Sequence, residues 1–429
     1  MIHDGTTESK LGGKVLLKDL DKIAEDTDRE VQEYFDRLAP VESANHAKVL
    51  NAFNGARVSS YHLKETTGYG YDDDGRDTLD QVYARVFSAE KALVRGQIIS
   101  GTHAISLCLF GILRPGDRLL AVQGKPYDTL DKIIGAHADA EGSLVQMGVN
   151  YRELALLPDN EIDWPGLDNE LKQPVKMVML QRSCGYSLRP SLDMPSLRKL
   201  CLFIRERRPE TVIFVDNCYG ELVETTEPLE NGADIIAGSL IKNPGGGLAP
   251  TGGYVAGREK LVDMSASRLT APGIGADAGP SMGWLRMFYQ GLYLAPHLVM
   301  EALRGAIWGA LFFNRLGFEV YPAPGDVRTD IVQAVVLRSG ALLELFCRAV
   351  QGASPVDSHV APVPAALPGY GHPVIMAAGT FVQGASLEFT ADAPFKEPYV
   401  AYFQGGLSLY YTKIALRRAA MEITLNGGE

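Results

Sequence analysis

Cysteine is scarce in this sequence. Its 429 residues include five cysteines, and no two of them form a C-x-x-C pair. An odd number without paired spacing argues against both a disulfide framework and a zinc site. The composition therefore favours a reducing compartment, and we expect a cytoplasmic protein that binds no metal.

Basic residues are fewer than acidic ones. The sequence has 41 lysines and arginines against 52 aspartates and glutamates, which gives a formal net charge of −11. This balance argues against nucleic acid or an anionic membrane surface as the main partner. Long apolar runs are missing too, because glycine, proline or charged residues interrupt each one short of a membrane span. Residues 1–8 lack the basic start and apolar core of a signal peptide.

Several catalytic signatures are absent. The sequence contains no G-x-x-x-x-G-K-[ST] loop, no G-x-G-x-x-G turn that opens a helix after a strand, no G-x-S-x-G elbow and no H-E-x-x-H pair. The acidic triplet Asp72–Asp74 fails the calcium-loop pattern because Gly70 stands where the first ligand should be. We interpret the triplet as a solvated turn.

What the sequence does contain is an alternation of apolar strands and amphipathic helices. Residues 15–50 have helical periodicity, and residues 51–78 are predicted to form a loop. Strands are then predicted at 94–99, 118–122, 175–180, 211–215, 234–237 and 253–256. Helices are predicted at 79–87, 102–113 and 192–207. This alternation predicts an α/β fold with a mostly parallel sheet, helices on both faces and ligands at the carboxyl ends of the strands.

The last part of the sequence has a different pattern. A long helix at 292–315 could link two domains. It is followed by predicted strands at 330–337, 381–389 and 400–403 and by a predicted helix at 342–350, which together indicate a smaller α+β domain. We therefore predict an N-terminal helical arm (1–65), a large domain (66–305) and a small C-terminal domain (306–429).

Lys242 is the first candidate for chemistry. It comes just after the predicted strand that leads into Gly238-Ser239, and a glycine-rich loop follows it. A lysine at the end of a buried strand lies near the low-dielectric floor of a cleft, where its pKa can fall and its amine can become a nucleophile. Pyridoxal phosphate (PLP) is the main cofactor that needs such an amine, with which it forms a Schiff base. Taken alone, Lys242 fits a surface loop equally well.

Asp216 ends the neighbouring predicted strand, one strand–helix–strand passage before Lys242. We expect the two side chains at adjacent strand ends. In a PLP enzyme, such an aspartate pairs with the pyridine nitrogen and keeps it protonated. The alternative is an aspartate that caps the next turn.

Four further features are expected to lie near these two residues. The segment Ser100-Gly101-Thr102 opens a helix after a strand, where free N–H groups can bind a phosphate, although it could be a simple helix cap. Of the eight histidines, only His103 lies where a cleft is expected. Tyr127 follows the strand 118–122 and could stack on a planar ring or simply pack in a loop. The glycine-rich loop 67–76 carries two tyrosines and an arginine that could donate hydrogen bonds to a phosphate.

The order Ser-Gly-Thr, Tyr127, Asp216 and Ser239-x-x-Lys242 resembles the fold-type-I PLP-dependent enzymes of cysteine and methionine metabolism. A closer resemblance, over most of the chain, is to the bacterial aluminium resistance family, which is methionine γ-lyase-like. Its motifs are specific in combination and weak singly. The segments that carry this closer resemblance are 67–76, 97–105, 216–221 and 404–407.

The resemblance implies a fold-type-I PLP-dependent transferase-like fold and a carbon–sulfur lyase acting on a sulfur-containing amino acid. Lys242 would hold PLP and then move the substrate α-proton, and Asp216 would pair with the pyridine nitrogen. Gly101, Thr102 and Ser239 would hold the phosphate.

Further roles follow from the same resemblance. His103 is counted among the cofactor-binding residues. Tyr127 would stack on the ring and could protonate a departing thiolate. Tyr71 would reach the phosphate of a neighbouring subunit, which implies a homodimer or homotetramer with the active site near the subunit interface.

The sequence also departs from those lyases. Asp73 stands where they have an arginine after the phosphate-binding tyrosine, and Arg76 is the nearest substitute. Ile241 replaces a common Ser or Thr, and Tyr402 stands where an arginine grips the substrate carboxylate. Arg182 is a candidate replacement for that arginine, although a structural ion pair would explain it equally well.

These departures leave two alternatives to a lyase. The first is another PLP-dependent amino-acid enzyme, of the aminotransferase, racemase or aldolase type, because one scaffold hosts many such activities. The second is a non-catalytic protein that binds a phosphate or a nucleotide through its glycine-rich loops.

Overall fold

The computed structural model describes residues 17–136, 140–367 and 369–426. Residues 1–16, which include the segment without signal-peptide features and the first two residues of the predicted first helix, lie outside this part. The described α-helices are α1 (Leu17–Gly55), α2 (Asp74–Val86), α3 (Gly101–Ile112), α4 (Asp128–Ile134), α5 (Trp164–Glu170), α6 (Met194–Arg207), α7 (Glu259–Leu269), α8 (Leu285–Arg315), α9 (Gly340–Gly352) and α10 (Leu409–Asn426).

The larger sheet has seven strands in the order β1-β7-β6-β5-β4-β2-β3. Strands β2 to β6 pair in parallel, whereas β7 runs antiparallel to both β1 and β6. The sheet is therefore mostly parallel, as predicted. Its strands are β1 (Lys91–Arg95), β2 (Arg118–Ala121), β3 (Asn150–Glu153), β4 (Met177–Gln181), β5 (Val212–Asp216), β6 (Ile235–Ser239) and β7 (Gly253–Gly257).

The smaller sheet has five antiparallel strands in the order β10-β11-β12-β9-β8. Together with α9 and α10 it forms an α+β unit, which agrees with the pattern of the C-terminal sequence. Its strands are β8 (Glu319–Tyr321), β9 (Val332–Val336), β10 (Val374–Ala377), β11 (Thr390–Pro394) and β12 (Val400–Gln404).

Buried apolar side chains cover both faces of the larger sheet. α3 and α7 pack on one face, and α2, α6 and the first half of α8 pack on the other. The second half of α8 enters a separate core with the smaller sheet, α9 and α10. α1 joins both cores, because Val31 packs in the second and Val49 in the first. The domain boundaries inferred from the sequence stay predictions.

The strand predicted at 381–389 is wrong, because that segment is a loop and the strand begins at Thr390. The loop folds back on itself. The carboxylate of Glu388 accepts hydrogen bonds from the N–H groups of Phe381 and Val382, at 2.8 and 3.1 Å. Gly384 adopts a φ of 80°, which favours glycine and turns the chain.

The interpretation of the acidic triplet as a solvated turn is wrong for Asp73, whereas Asp72 and Asp74 are exposed. Asp73 is 2% exposed and is the N-cap of α2, where its carboxylate accepts a hydrogen bond from the N–H of Arg76 at 2.9 Å. Such caps satisfy donors that a helix start leaves free. The loop predicted over 51–78 is correspondingly shorter, since α1 continues to Gly55.

The described residues contain neither a membrane-spanning helix nor a metal-binding cluster. Within them, no helix combines the length and apolar content needed to cross a bilayer. Nor does this part of the chain bring together three or more His, Cys, Asp or Glu side chains that could hold a metal ion.

Candidate active site

A cavity of about 220 Å³ lies at the carboxyl ends of β5 and β6, between the two sheets. The larger sheet and its loops supply one wall, which includes Gly101, Asp216, Ser239 and Lys242. The segment that carries β10 and β11 supplies the opposite wall, which includes Asp392. The structure thus brings together residues that lie far apart in the sequence.

Lys242 lies on the floor of this cavity, three residues past the end of β6. Its Nζ is 3.8 Å from the centre of the Tyr219 ring. Tyr219 has a φ of 69°, which is uncommon for a residue with a side chain, and its hydroxyl donates a hydrogen bond to Ser386 Oγ at 3.1 Å. This backbone conformation and this hydrogen bond fix the ring beneath the lysine amine.

The charge state of Lys242 differs from the expectation. Burial lowers its pKa, but the acidic groups of Cys218, Tyr219, Asp216 and Glu221 outweigh burial and raise the pKa above its ordinary value. The prediction of a lowered pKa is therefore wrong for the chain without cofactor. It considered burial alone, whereas nearby acidic groups favour the charged amine.

Asp216 lies beside Lys242, as the predicted strand order requires. In the parallel pairing of β5 with β6, Asp216 lies opposite Ala237. The carboxylate is 8% exposed and accepts a hydrogen bond from the N–H of Cys218 at 3.2 Å. Burial raises the pKa of Asp216 above its ordinary value, although the charge of Lys242 opposes the shift.

The N-terminus of α3 faces the same cavity. Ser100 caps the helix by accepting a hydrogen bond from the N–H of His103 at 3.1 Å. The N–H groups of Gly101 and Thr102 find no acceptor within the described residues. The hydroxyl of Ser239 is buried nearby and also lacks a hydrogen-bond partner. This cluster of free donors is suited to an anion.

Gly101 keeps the anion site open. A Cβ at this position would lie 2.9 Å from Cys218 Sγ and 3.4 Å from Ser239 Cβ. A phosphate at these donors, a pyridine nitrogen at Asp216 and an aldehyde carbon at Lys242 match the three polar features of PLP. The residues present therefore fit this cofactor.

Tyr127 lines the cavity within a group of tyrosines. Its hydroxyl forms a short hydrogen bond with that of Tyr370, and its ring lies 5.4 Å from the Tyr186 ring. Tyr186 in turn donates a hydrogen bond to Asp392 Oδ2 at 2.9 Å. Burial raises the pKa of Tyr127 well above its ordinary value, so the phenol keeps its proton at neutral pH.

Arg182 does not line the cavity, which corrects the expectation that it contacts the substrate. Its side chain is 0% exposed, and its Nη2 lies 2.6 Å from Glu224 Oε2. Its Nη1 lies 3.6 Å from Glu227 Oε2 and donates hydrogen bonds to Asn217 Oδ1 and to the carbonyl of Gly220. These contacts agree with the alternative, a structural ion pair, which here braces the segment behind Tyr219.

Three other residues also lie outside the cavity of their own chain. Tyr71 is 56% exposed and stacks on Tyr69, with ring centres 5.3 Å apart. Arg76 is buried and donates hydrogen bonds to the carbonyls of Gly70 and Gly279, so it holds its own loop rather than a phosphate. His103 is half-buried, and its Nδ1 accepts a hydrogen bond from the N–H of Ile99 at 3.3 Å.

Sequence reasoning missed several residues of the cavity. Tyr186, Tyr370 and Asp392 received no role, because nothing in their neighbouring residues relates them to Lys242. Tyr219 belongs to the motif that contains Asp216, but its positive φ cannot be read from residue type. Of the departures from the lyases, Ile241 does line the cavity.

The fold and cavity define an α/β protein with a buried lysine and a free helix N-terminus at the carboxyl edge of its main sheet. A family model described as methionine gamma-lyase matches residues 20–424. The chain belongs to this family. The predicted place within it, the aluminium resistance group, is confirmed by the named structures that it matches.

Two of those structures have TM-scores of 0.91. One is named as a carbon-sulfur lyase involved in aluminum resistance from Clostridium novyi, with 44% identity, covering 95% of this chain and 96% of that chain. The other, from Listeria innocua, is proposed by its name to be a cystathionine beta-lyase involved in aluminum resistance. It has 50% identity and covers 94% of this chain and 99% of that chain.

A relative from Bacillus subtilis, named only as uncharacterized protein YnbB, is 46% identical over 92% of this chain and 94% of its own length. A more distant likeness shows the fold alone. The pyridoxal-5'-phosphate dependent protein YhfS from Escherichia coli has a TM-score of 0.59 at 18% identity, covering 90% of this chain and 96% of that chain.

Proposed function

We propose that the chain is a PLP-dependent carbon–sulfur lyase of fold type I, acting on a sulfur-containing amino acid. The observation that carries the proposal is the buried amine of Lys242 in one cavity with Asp216 and the free donors at the start of α3. The name of the Clostridium novyi protein supports the reaction class. When bound, PLP supplies an electron sink for the pair left behind by the α-proton.

The cofactor would be held from three sides. Gly101 and Thr102 would donate their N–H groups, and Ser239 its hydroxyl, to the phosphate, while His103 keeps the first turn of α3 in place through its ring contact with Ile99. Asp216 would accept a hydrogen bond from the pyridine nitrogen. Each contact would give a buried polar group a hydrogen-bond partner. Without one, burial of that group costs free energy.

Two side chains would handle protons. Lys242 would accept the substrate α-proton once its amine is released and neutral. Tyr127, which lines the cavity and is protonated at neutral pH, would then donate its phenolic proton to the departing thiolate. Tyr370, hydrogen-bonded to Tyr127, is placed to return a proton.

We also propose a homodimer or homotetramer in which Tyr71 reaches the phosphate site of a neighbouring subunit. Tyr71 is exposed and remote from its own cavity, so only another copy of the chain could use it there. A cytoplasmic location is part of the same proposal, since all five cysteines are unpaired.

The test begins with the cofactor. Purified protein mixed with PLP should develop the visible absorbance of a lysine adduct, and Lys242→Ala should abolish it. Lys260→Ala, at an exposed lysine of α7, is the matched control and should behave as the wild type. An unchanged spectrum for the wild type would remove both the lyase and every other PLP-dependent function.

The second stage identifies the reaction. Methionine, cystathionine and cysteine are supplied in turn, and thiol and ketoacid are measured. Release of both products from any of the three supports the lyase. Exchange of the α-proton for deuterium without thiol release, or turnover only with an added amino acceptor, would instead assign a racemase or an aminotransferase.

A further inference from the structure

The Lys242 cavity contains no second cation for a substrate carboxylate. Among its described lining residues, Lys242 is the sole basic side chain, and the acidic ones are Asp216 and Asp392. Asp392 is buried and accepts hydrogen bonds from Tyr186 and Gln404, both at 2.9 Å. A carboxylate placed against Asp392 would meet like charge in a low-dielectric site. The substrate carboxylate therefore needs a cation outside this cavity.

A second cavity, of about 570 Å³, adjoins the first and shares Tyr127 and Tyr186 as its wall. It contains three basic side chains. Lys125 is already paired, with its Nζ 3.0 Å from Asp131 Oδ2, and Lys396 is exposed to solvent. Arg189 is the third.

Arg189 is a half-buried cation that has no acidic partner among the described residues. Its Nη2 donates a hydrogen bond to the carbonyl of Ser183 at 2.7 Å, and its Nη1 donates one to the carbonyl of Pro190 at 3.1 Å. Within the described residues, no carboxylate oxygen lies within 4.0 Å of its guanidinium, whereas Arg182 has two such partners. The neighbouring carboxylate of Asp330 is occupied by Ser183, Ser191 and the N–H of Cys184.

The charge of Arg189, which has no acidic partner in the described part of the chain, costs free energy in the chain without a ligand. Arginine stays charged at any working pH, and burial lowers the pKa of Arg189, which reports how poorly its charge is compensated. The charge of Asp216 also acts on Arg189, so the guanidinium lies within electrostatic range of the Lys242 cavity. An arriving anion would complete the pairing that the chain leaves open.

We infer that Arg189, which lines the second cavity beside the Tyr127 and Tyr186 rings that border both cavities, binds the carboxylate of the amino-acid substrate. The inference rests on the proposed function, because it presumes a substrate whose amine reaches PLP at Lys242. Two backbone carbonyls fix the plane of the guanidinium, and its remaining N–H groups can form paired hydrogen bonds with a carboxylate. Arg189 thus selects amino acids over simple amines.

The experiment compares two ligands that differ only in the carboxylate. PLP-loaded protein is titrated with L-methionine and with 3-(methylthio)propylamine, and the dissociation constants are read from the visible spectrum. The wild type should bind methionine about 10- to 100-fold more tightly, the range of a hydrogen-bonded charge pair. Arg189→Gln should lose this preference, and Arg189→Lys should retain part of it, since charge remains without the planar fork.

Arg198→Gln, at an exposed arginine of α6, is the matched control and should keep the full preference. An Arg189→Gln protein that still prefers methionine would overturn the inference and leave the proposed function intact. A changed PLP spectrum in Arg189→Gln before any ligand is added would overturn it too, by assigning Arg189 to the cofactor. No response of the wild type to either ligand would count against the proposed function itself.

Discussion

At the scale of single residues, a buried carboxyl group near Lys242 takes part in no step of the proposed reaction. Glu221 is 0% exposed, and its Oε1 accepts a hydrogen bond from the hydroxyl of Tyr254 at 3.0 Å. Its Oε2 has no hydrogen-bond partner among the described residues. Burial raises the pKa of Glu221 from 4.5 to about 8, and Lys242 only partly opposes this shift.

This raised pKa makes stability depend on pH. The unfolded chain loses the Glu221 proton near pH 4.5 and the folded chain near pH 8, so the unfolded state binds fewer protons between these values. The free energy of unfolding should therefore fall as pH rises through this window, by up to about 1.4 kcal/mol per pH unit from this group. Glu221→Gln should flatten the fall, as urea unfolding at pH 5 and pH 8 would measure.

The matched control is Glu210→Gln, at an exposed glutamate. It should leave the wild-type fall unchanged. Equal slopes in the wild type and in Glu221→Gln would show that Glu221 titrates normally in the folded chain.

Gly101 gives a second prediction at this scale. In Gly101→Ala, the new methyl group would lie 2.9 Å from Cys218 Sγ, inside the phosphate site. We expect the affinity for PLP to fall about tenfold, or roughly 1.4 kcal/mol, with little change in folding. Titration by visible absorbance measures the affinity, and circular dichroism checks the fold.

Gly325→Ala is the corresponding control, because a Cβ there meets nothing within 4 Å. It should bind PLP as the wild type does. Unaltered PLP affinity in Gly101→Ala would mean that the phosphate lies elsewhere.

At the scale of elements, the backbone of α8 comes into close contact with the backbone of the loop that follows Lys242. A Cβ on Gly291 would lie 2.2 Å from the carbonyl oxygen of Gly245, and one on Gly246 would lie 2.1 Å from that of Gly291. Side chains at these positions would force the helix and the loop apart. The contact therefore sets the distance between α8 and the loop that follows Lys242.

Gly291→Ala should disturb both stability and cofactor binding. Overpacking of this kind costs about 1–3 kcal/mol, and the displaced loop should carry Lys242 away from Asp216. The melting temperature and the PLP titration should therefore fall together, while Gly325→Ala should change neither. A lower melting temperature with normal PLP affinity would separate the helix contact from the position of Lys242.

The sequence allowed most elements of the larger sheet to be predicted, because apolar runs such as Val212–Asp216 and Ile235–Ser239 end in glycine, serine or aspartate. Prediction from the sequence failed where tertiary packing, and not the pattern of residues, decides the secondary structure. α10 (Leu409–Asn426) went unpredicted, since small residues such as Ala415 and Ala419 form much of its buried face. The loop at 381–389 is apolar enough for a strand, yet Glu388 closes it.

The residues of the candidate site also divide into those that the sequence predicts and those that it does not. Lys242 and Asp216 could be found because the ends of β5 and β6 are visible in the sequence. Gly101 was found as a helix start, although β1 ends at Arg95 and not at the predicted residue 99. Arg182 follows a strand as well, but sequence spacing cannot show that Glu224 and Glu227 surround it. Asp392 and Arg189 depend on how the two sheets face each other, which no local pattern encodes.

At the scale of the whole molecule, the proposal that Tyr71 completes the active site of a neighbouring subunit leads to a prediction about mixed subunits. Tyr71→Phe and Lys242→Ala should each be impaired alone. After the two proteins are unfolded and refolded together, a mixed dimer contains one site with Lys242 from one chain and Tyr71 from the other. Random pairing should restore roughly a quarter of wild-type turnover.

The control refolds Tyr71→Phe together with a Tyr71→Phe/Lys242→Ala double variant by the same procedure. No site in that mixture combines Lys242 with Tyr71, so no turnover should return. Absence of recovery in the first mixture, although size-exclusion chromatography shows mixed dimers, would place Tyr71 outside the partner's site.

The placement of Asp392 on β11 has a consequence for how the protein matures. Ser100 and Asp392 face the same cavity but are separated by most of the chain. During synthesis, the wall that carries Lys242 can fold while the opposite wall is still inside the ribosome, because domains fold as units from the N-terminal side. The cavity is complete only after β11 has left the ribosome. Binding of the proposed cofactor in a closed pocket would therefore be one of the last steps in the maturation of the protein.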